Sequence, residues 1–182
     1  MESLKKGVRT RGAHGRHFYQ FYRGKEDFFR IVLPFLRLGL ENKEACLWIV
    51  SDSIGTVEAV HAFQRQYDFS PFIESGQLLI VSAERWYLNR EGRFSESQAL
   101  EKAKKFIQDK QRLGFTAFRG VGDAGWVENS EWFKFQSYEE KIHRWISDLQ
   151  ITVICAYPIQ RCSITQTQDV LDSHHGVFLT KL

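Results

Sequence analysis

An alternation between two kinds of apolar pattern limits most narrowly what this 182-residue chain can fold into. Short runs with strand character, Ala45 to Val50, Gln77 to Ser82 and Ile151 to Ala156, are separated by stretches in which apolar residues recur at helical spacing. A continuously apolar run such as Ala-Cys-Leu-Trp-Ile-Val fits a strand covered on both faces. The spacing of Phe135, Tyr138, Ile142, Trp145 and Leu149 fits a helix with one buried stripe. Strands that alternate with helices build a parallel sheet, because each connection crosses back over a face of that sheet. The expected fold is therefore α/β, three α/β/α layers around a mostly parallel, doubly wound sheet of about six strands.

In chain order, the first strand is His17 to Tyr22, and Arg23-Gly24-Lys25 turns into a helix from Phe28 to Leu38 with a kink at Pro34. The second strand leads through Ser51-Asp52-Ser53, expected to cap a helix from Gly55 to Gln66. Ser95-Glu96-Ser97-Gln98 has capping-box spacing and opens a helix that Gly114 stops. A fourth strand begins at Phe115 and ends in a glycine-rich segment, Arg119-Gly120-Val121-Gly122-Asp123-Ala124-Gly125-Trp126. A long amphipathic helix over Glu131 to Leu149, a fifth strand, a short helix from Thr165 to Leu171 and a last strand, Val177 to Leu179, complete the pattern.

Composition excludes several classes. Hydrophobic residues make up 43% of the chain, yet no run is long and uncharged enough to span a bilayer, and no apolar leader opens it. Three cysteines, Cys46, Cys155 and Cys162, have no framework spacing and fit a reducing cytoplasm. Of the net charge of +3, residues 1–25 supply +6, leaving a mildly acidic body. Residues 1–15 read as a basic, flexible arm and 16–182 as a single domain. Without a helix-turn-helix, zinc-finger or RNA-binding signature, nucleic acid is not an expected partner.

The first strand-to-helix turn occupies the place of a phosphate-binding loop but lacks its chemistry. Tyr19 stands where the pattern needs its first glycine, and Glu26 follows Lys25 where a Ser or Thr would hold magnesium. No strained nucleophile elbow or ordered Ser/His/Asp set is present, so no catalytic residue is assigned. His17, Cys155, Cys162, His174 and His175 offer metal-ligating atoms, but their spacing requires no metal and none is assigned. His17 and His174 each precede a strand, which places both at the amino edge of the sheet.

The binding site expected from the residues lies at the carboxyl edge, where open α/β sheets receive ligands. Tyr22, Arg23, Arg119, Asp123, Trp126 and Tyr157 are its candidates, with Trp48, Tyr87 and Trp132 as further aromatic walls. A structural Arg119–Asp123 ion pair at a tight turn, with the aromatics as core filling, accounts for the same residues.

The order of these features resembles the MEDS family, the methanogen/methylotroph sensory domain named after the dichloromethane regulator DcmR. The resemblance rests on His17 to Tyr22, Pro34-Phe35, Gly39-Leu40, Glu44-Ala45-Cys46-Leu47, Gly76-Gln77-Leu78, Gly114-Phe115 with Arg119 and Trp126, Tyr138-Glu139, Cys155-Ala156-Tyr157, and His174 or His175. It spans residues 16–182 and implies a RecA/KaiC-like fold without the nucleotide loop. It also implies a cytoplasmic sensory role toward small hydrocarbon derivatives, alone or fused to output modules. Two positions depart from the family pattern: Tyr19, where many relatives carry cysteine, and Asp123-Ala124-Gly125 before the tryptophan.

The resulting expectation is a non-catalytic, cofactor-free sensory domain. It binds a small, largely apolar ligand and signals to a partner protein or a second copy, with His17, Asp52, Tyr87, Glu139, Cys155 and His174 as secondary site candidates. A degenerate nucleotide-binding protein and a structural interaction domain are the competing readings.

Overall fold

The computed structural model describes residues 15–178. Five strands, β1 (Arg16–Tyr22), β2 (Ala45–Val50), β3 (Leu78–Ser82), β4 (Phe118–Asp123) and β5 (Ile151–Pro158), form one sheet in the order β1-β5-β4-β2-β3. Every pair is parallel. The expected sixth strand begins alongside β1 as a parallel bridge between Tyr19 and Val177, where the Tyr19 N–H donates to the Gly176 carbonyl and the Phe178 N–H to the Tyr19 carbonyl. Leu179 and the basic arm through His14 lie outside the described residues. Gly15, read as part of that arm, is buried, and its N–H donates to the Ser147 carbonyl.

Among the described residues six α-helices connect the strands, α1 (Lys25–Glu41), α2 (Thr56–Gln64), α3 (Ser70–Glu74), α4 (Ala83–Tyr87), α5 (Glu96–Arg112) and α6 (Trp132–Ile146), and α7 (Ile164–Ser173) follows β5. Neighbouring side chains of a strand point to opposite faces, so β2 must be apolar throughout to serve two cores. Cys46, Trp48 and Val50 join Phe28, Leu36 and Phe63 from α1 and α2 on one face. Leu47 and Ile49 join Phe106, Phe135 and Ile142 from α5 and α6 on the other. The three-layer expectation holds.

Local signals read from the sequence differ in three places. Ser95 precedes α5 but its side chain makes no cap bond, and the reciprocal capping box forms instead between Ser163 and Gln166 at the start of α7. Asp52 and Ser53 do not cap α2, which opens after Gly55 at φ +86°; the Ser53 hydroxyl lies 2.7 Å from that of Ser51. β4 starts at Phe118 rather than Phe115, because the Phe115 N–H is used by the Lys110 carbonyl in the closing turn of α5. The last difference moves Arg119 from the end of a strand to its second position.

Candidate functional site

That shift separates the residues expected to share one pocket. Arg119 and Asp123 point to the same face of β4, but four residues apart on a strand is about 13 Å. Near the amino end, the Arg119 guanidinium is buried against α1. Its Nε and Nη2 donate to the two oxygens of Glu44 at 2.5 and 3.0 Å, Nη1 donates to the Phe35 carbonyl at 3.1 Å, and Cζ lies 4.4 Å from the centre of the Phe35 ring. Gly39 makes room for it, since a Cβ there would sit 2.6 Å from Arg119 Cδ. Each of its three nitrogens is held inside the fold at the amino end of β4, so the expected Arg119–Asp123 pairing does not form, either as a ligand clamp or as an ion pair.

At the carboxyl edge, Asp123 is fully buried and satisfied. Its Oδ1 accepts from the Tyr22 hydroxyl at 2.8 Å and the Gly125 N–H at 2.9 Å, while Oδ2 accepts from the N–H and hydroxyl of Ser51. Burial pushes the Asp123 carboxyl upward and these bonds oppose it. Tyr22 is raised by burial and by the adjacent carboxylate. The four bonds tie the end of β1 to the segments that follow β2 and β4. Arg23 and Asp52 are exposed beside them. A shallow depression of about 380 Å³ at this edge is bounded by Ser53, Glu84, Phe94, Trp126 and Arg161. There Arg161 donates to the Gly125 carbonyl and to Glu128.

The densest unexplained chemistry lies under the other face of the sheet. His17 from β1, Cys155 from β5, Glu139 from α6 and His174, which follows α7, bring four ligating atoms within 4.8 Å of one another, all buried. The two imidazole centroids are 4.1 Å apart. His17 Nε2 lies 3.1 Å from Cys155 Sγ and 3.2 Å from Glu139 Oε2, and His174 Nε2 lies 3.3 Å from the same oxygen. His17 stands near the amino end of the sheet, as expected, as the second residue of β1, and His174 meets it there. His17 pairs in register with Val153 within the sheet, and His174 reaches inward from the end of α7 to pack on it.

Burial lowers His17 to about 4. Burial also opposes ionisation of Glu139, but the two nearby histidine nitrogens outweigh it and hold that carboxyl below the ordinary range. The Cys155 thiol is driven well up by burial and by the Glu139 charge, so the protein alone keeps it protonated. Tyr157 packs edge-on to His174, and its hydroxyl has no hydrogen-bond partner.

Glu139 and Cys155 also form part of the wall of a cavity of about 60 Å³ between the sheet and helices α5 and α6. The rest of the wall is mainly apolar, with Leu47, Phe106, Ile142 and Val153 among its residues. The space exists because β4 carries Gly120 and Gly122 on this face, where the neighbouring strands carry Leu47, Ile49, Val153 and Cys155. Tyr87 closes one side and stacks at 4.7 Å on Trp126, connecting the cavity wall to the carboxyl-edge depression.

The profile of the methanogen/methylotroph DcmR sensory domain, MEDS, matches residues 16–175. The chain belongs to the MEDS family. Among proteins of curated function none matches. A solved structure similar to this chain is the flagellar accessory protein FlaH from Methanocaldococcus jannaschii, at 14% identity and a TM-score of 0.48, over 89% of this chain and 69% of that one. Among the described residues, no helix of this MEDS domain is long and apolar enough to cross a membrane.

His17, Glu139, Cys155, His174 and Tyr87 were all legible as candidates in the sequence, but as scattered ones. Glu44 as the partner of Arg119, and the cavity itself, were not. The alternating glycines of Gly120-Val121-Gly122 were the available signal for the cavity, because in a buried strand they remove side-chain volume from one face only.

Proposed function

We propose that this MEDS domain is a sensory module that admits a small, largely apolar molecule to the cavity between the sheet and helices α5 and α6. The observation that carries the reading is the void itself. It is mainly apolar, lies between the sheet and helices α5 and α6, is bounded by two glycines of a central strand, and is set against a buried carboxylate and thiol. An apolar space with few polar groups is how small-molecule sites are commonly built. A cavity of this size suits a guest of a few heavy atoms, such as a short haloalkane or alcohol.

Occupancy must favour one conformation over another to carry a signal. The stacked Tyr87 and Trp126 rings provide the connection: a guest that displaces Tyr87 also displaces Trp126, and with it the loop held by Arg161. The receiver is a partner chain or a second copy of the domain. Three free thiols are consistent with action in a reducing cytoplasm.

Thermal unfolding in the presence of a series of short haloalkanes and alcohols tests the reading, with wild type compared against Gly120→Val. The expected result is a rise in Tm that depends on guest size in the wild type and is absent in the folded variant. Equal responses in the two proteins would move the site away from this cavity.

A further inference from the structure

We infer that His17, Glu139, Cys155 and His174 form a binding site for a divalent transition metal, with zinc the ion their chemistry suits best. The inference stands apart from the sensory reading, since the four side chains converge whether or not the neighbouring cavity admits a guest.

The argument begins with the proton positions on His174. Its Nδ1 lies 2.8 Å from the Val170 carbonyl oxygen, an acceptor only, so Nδ1 carries a proton and donates it there. The other nitrogen of the neutral ring is then a bare lone pair. It faces Glu139 Oε2 at 3.3 Å, and neither atom has a hydrogen-bond partner. Two acceptors in a dry interior repel unless a cation or a proton lies between them. A proton, forming an imidazolium, resolves that single contact. A hydrogen bond between Cys155 Sγ and His17 Nε2 resolves a second contact, but neither accounts for all four ligating atoms converging within 4.8 Å of one another.

A metal ion accounts for all four. A nitrogen held by a backbone carbonyl while the opposite nitrogen faces inward is the usual arrangement that orients a metal-ligating histidine. Zinc binds imidazole nitrogen, carboxylate oxygen and thiolate sulfur at about 2.0–2.3 Å in a tetrahedron, for which ligand atoms stand about 3.3–3.6 Å apart. The observed separations of 3.1, 3.2 and 3.3 Å are close to those edges, and the remaining ones need only side-chain adjustment within the 4.8 Å limit. The mixed sulfur and nitrogen donors disfavour calcium and magnesium, which take oxygen ligands. Charge balances as well. Binding releases the Cys155 thiol proton to solvent, and the thiolate and carboxylate together neutralise the dication in a buried site.

Elemental analysis of the purified chain, together with titration of the metal-free chain by Co²⁺ followed by absorption spectroscopy, tests the inference. About one zinc per chain is expected, as are visible bands of a tetrahedral cobalt ion with a thiolate-to-cobalt charge-transfer band in the near ultraviolet. Cys155→Ser should lose the charge-transfer band and keep the visible bands, and His174→Gln should weaken binding by more than about tenfold. His61→Ala, at an exposed position of α2 against the opposite face of the sheet, serves as a control for adventitious binding and should change neither. A folded wild-type chain that retains no zinc and gives no cobalt spectrum overturns the inference whatever the variants do. So does a bound ion whose spectrum lacks the sulfur band or responds to His61→Ala. None of these readouts depends on a guest in the cavity, so the inference and the sensory reading fail separately.

Discussion

Replacing Gly120 by alanine should make this protein more stable. A core void carries a cost of about 24 cal/mol per Å³, or about 1.4 kcal/mol for a cavity of about 60 Å³. A Cβ at Gly120 would meet Val153 Cγ2 at 3.5 Å and Cγ1 at 3.8 Å, ordinary contact distances, and the backbone there does not require glycine. One methyl recovers part of the void cost, and removing a glycine from a strand interior adds about 0.5–1 kcal/mol. The expected gain is about 1 kcal/mol. With a urea m-value of about 1–3 kcal/mol/M, the unfolding midpoint rises by about 0.3–1 M at unchanged slope.

Gly122→Ala provides the opposite control. Its Cβ would sit 2.9 Å from the Tyr87 hydroxyl, so the ring must move, at a cost of about 1–3 kcal/mol. A lower midpoint for Gly120→Ala would refute the reasoning, because it would show that this face of β4 has no space to fill. A gain in stability accompanied by loss of the haloalkane response would instead mean that the void is kept at the expense of stability, as a binding site requires.

Arg119→Ala should cost about 3–5 kcal/mol in chemical unfolding by stranding the half-buried Glu44 carboxylate, and a change below about 1 kcal/mol would show the pair to be dispensable. Tyr22→Phe removes one donor from the buried Asp123 carboxylate and should cost about 1.5–3 kcal/mol, read as a lower midpoint with the fold intact by circular dichroism. Maleimide labelling of the folded, metal-free chain should modify Cys162, which is half-buried, well before Cys46, whose thiol burial pushes up to about 12, and before Cys155; rapid labelling of all three would contradict the packing described.

The layers of this fold were legible because β2 and β5 are apolar on both faces while α6 is apolar on one, and no local rule competes with those patterns. Ends of elements were harder to place. Phe115 and Phe118 both suit a strand, and only the turn after α5 decides between them, with the consequence that Arg119 faces Glu44 instead of a ligand. His17, Glu139, Cys155 and His174 come from four elements spread over more than 150 positions, so their meeting depends on strand order rather than on spacing. Adjacency of β1 to β5, with α6 and α7 packed on that side, is a property of the assembled sheet. The same holds for the cavity, which is defined by what the neighbours of Gly120 and Gly122 fail to fill.

Xenon locates apolar voids without any knowledge of the natural ligand, because it enters by shape and polarisability alone. The anomalous signal of a xenon-pressurised crystal is therefore the most direct test. The account predicts one ordered xenon between Gly120, Val153 and Ile142, beside Glu139 and Cys155, and its loss in Gly120→Val. Xenon found only in the carboxyl-edge depression near Trp126, or nowhere in the core, would contradict it.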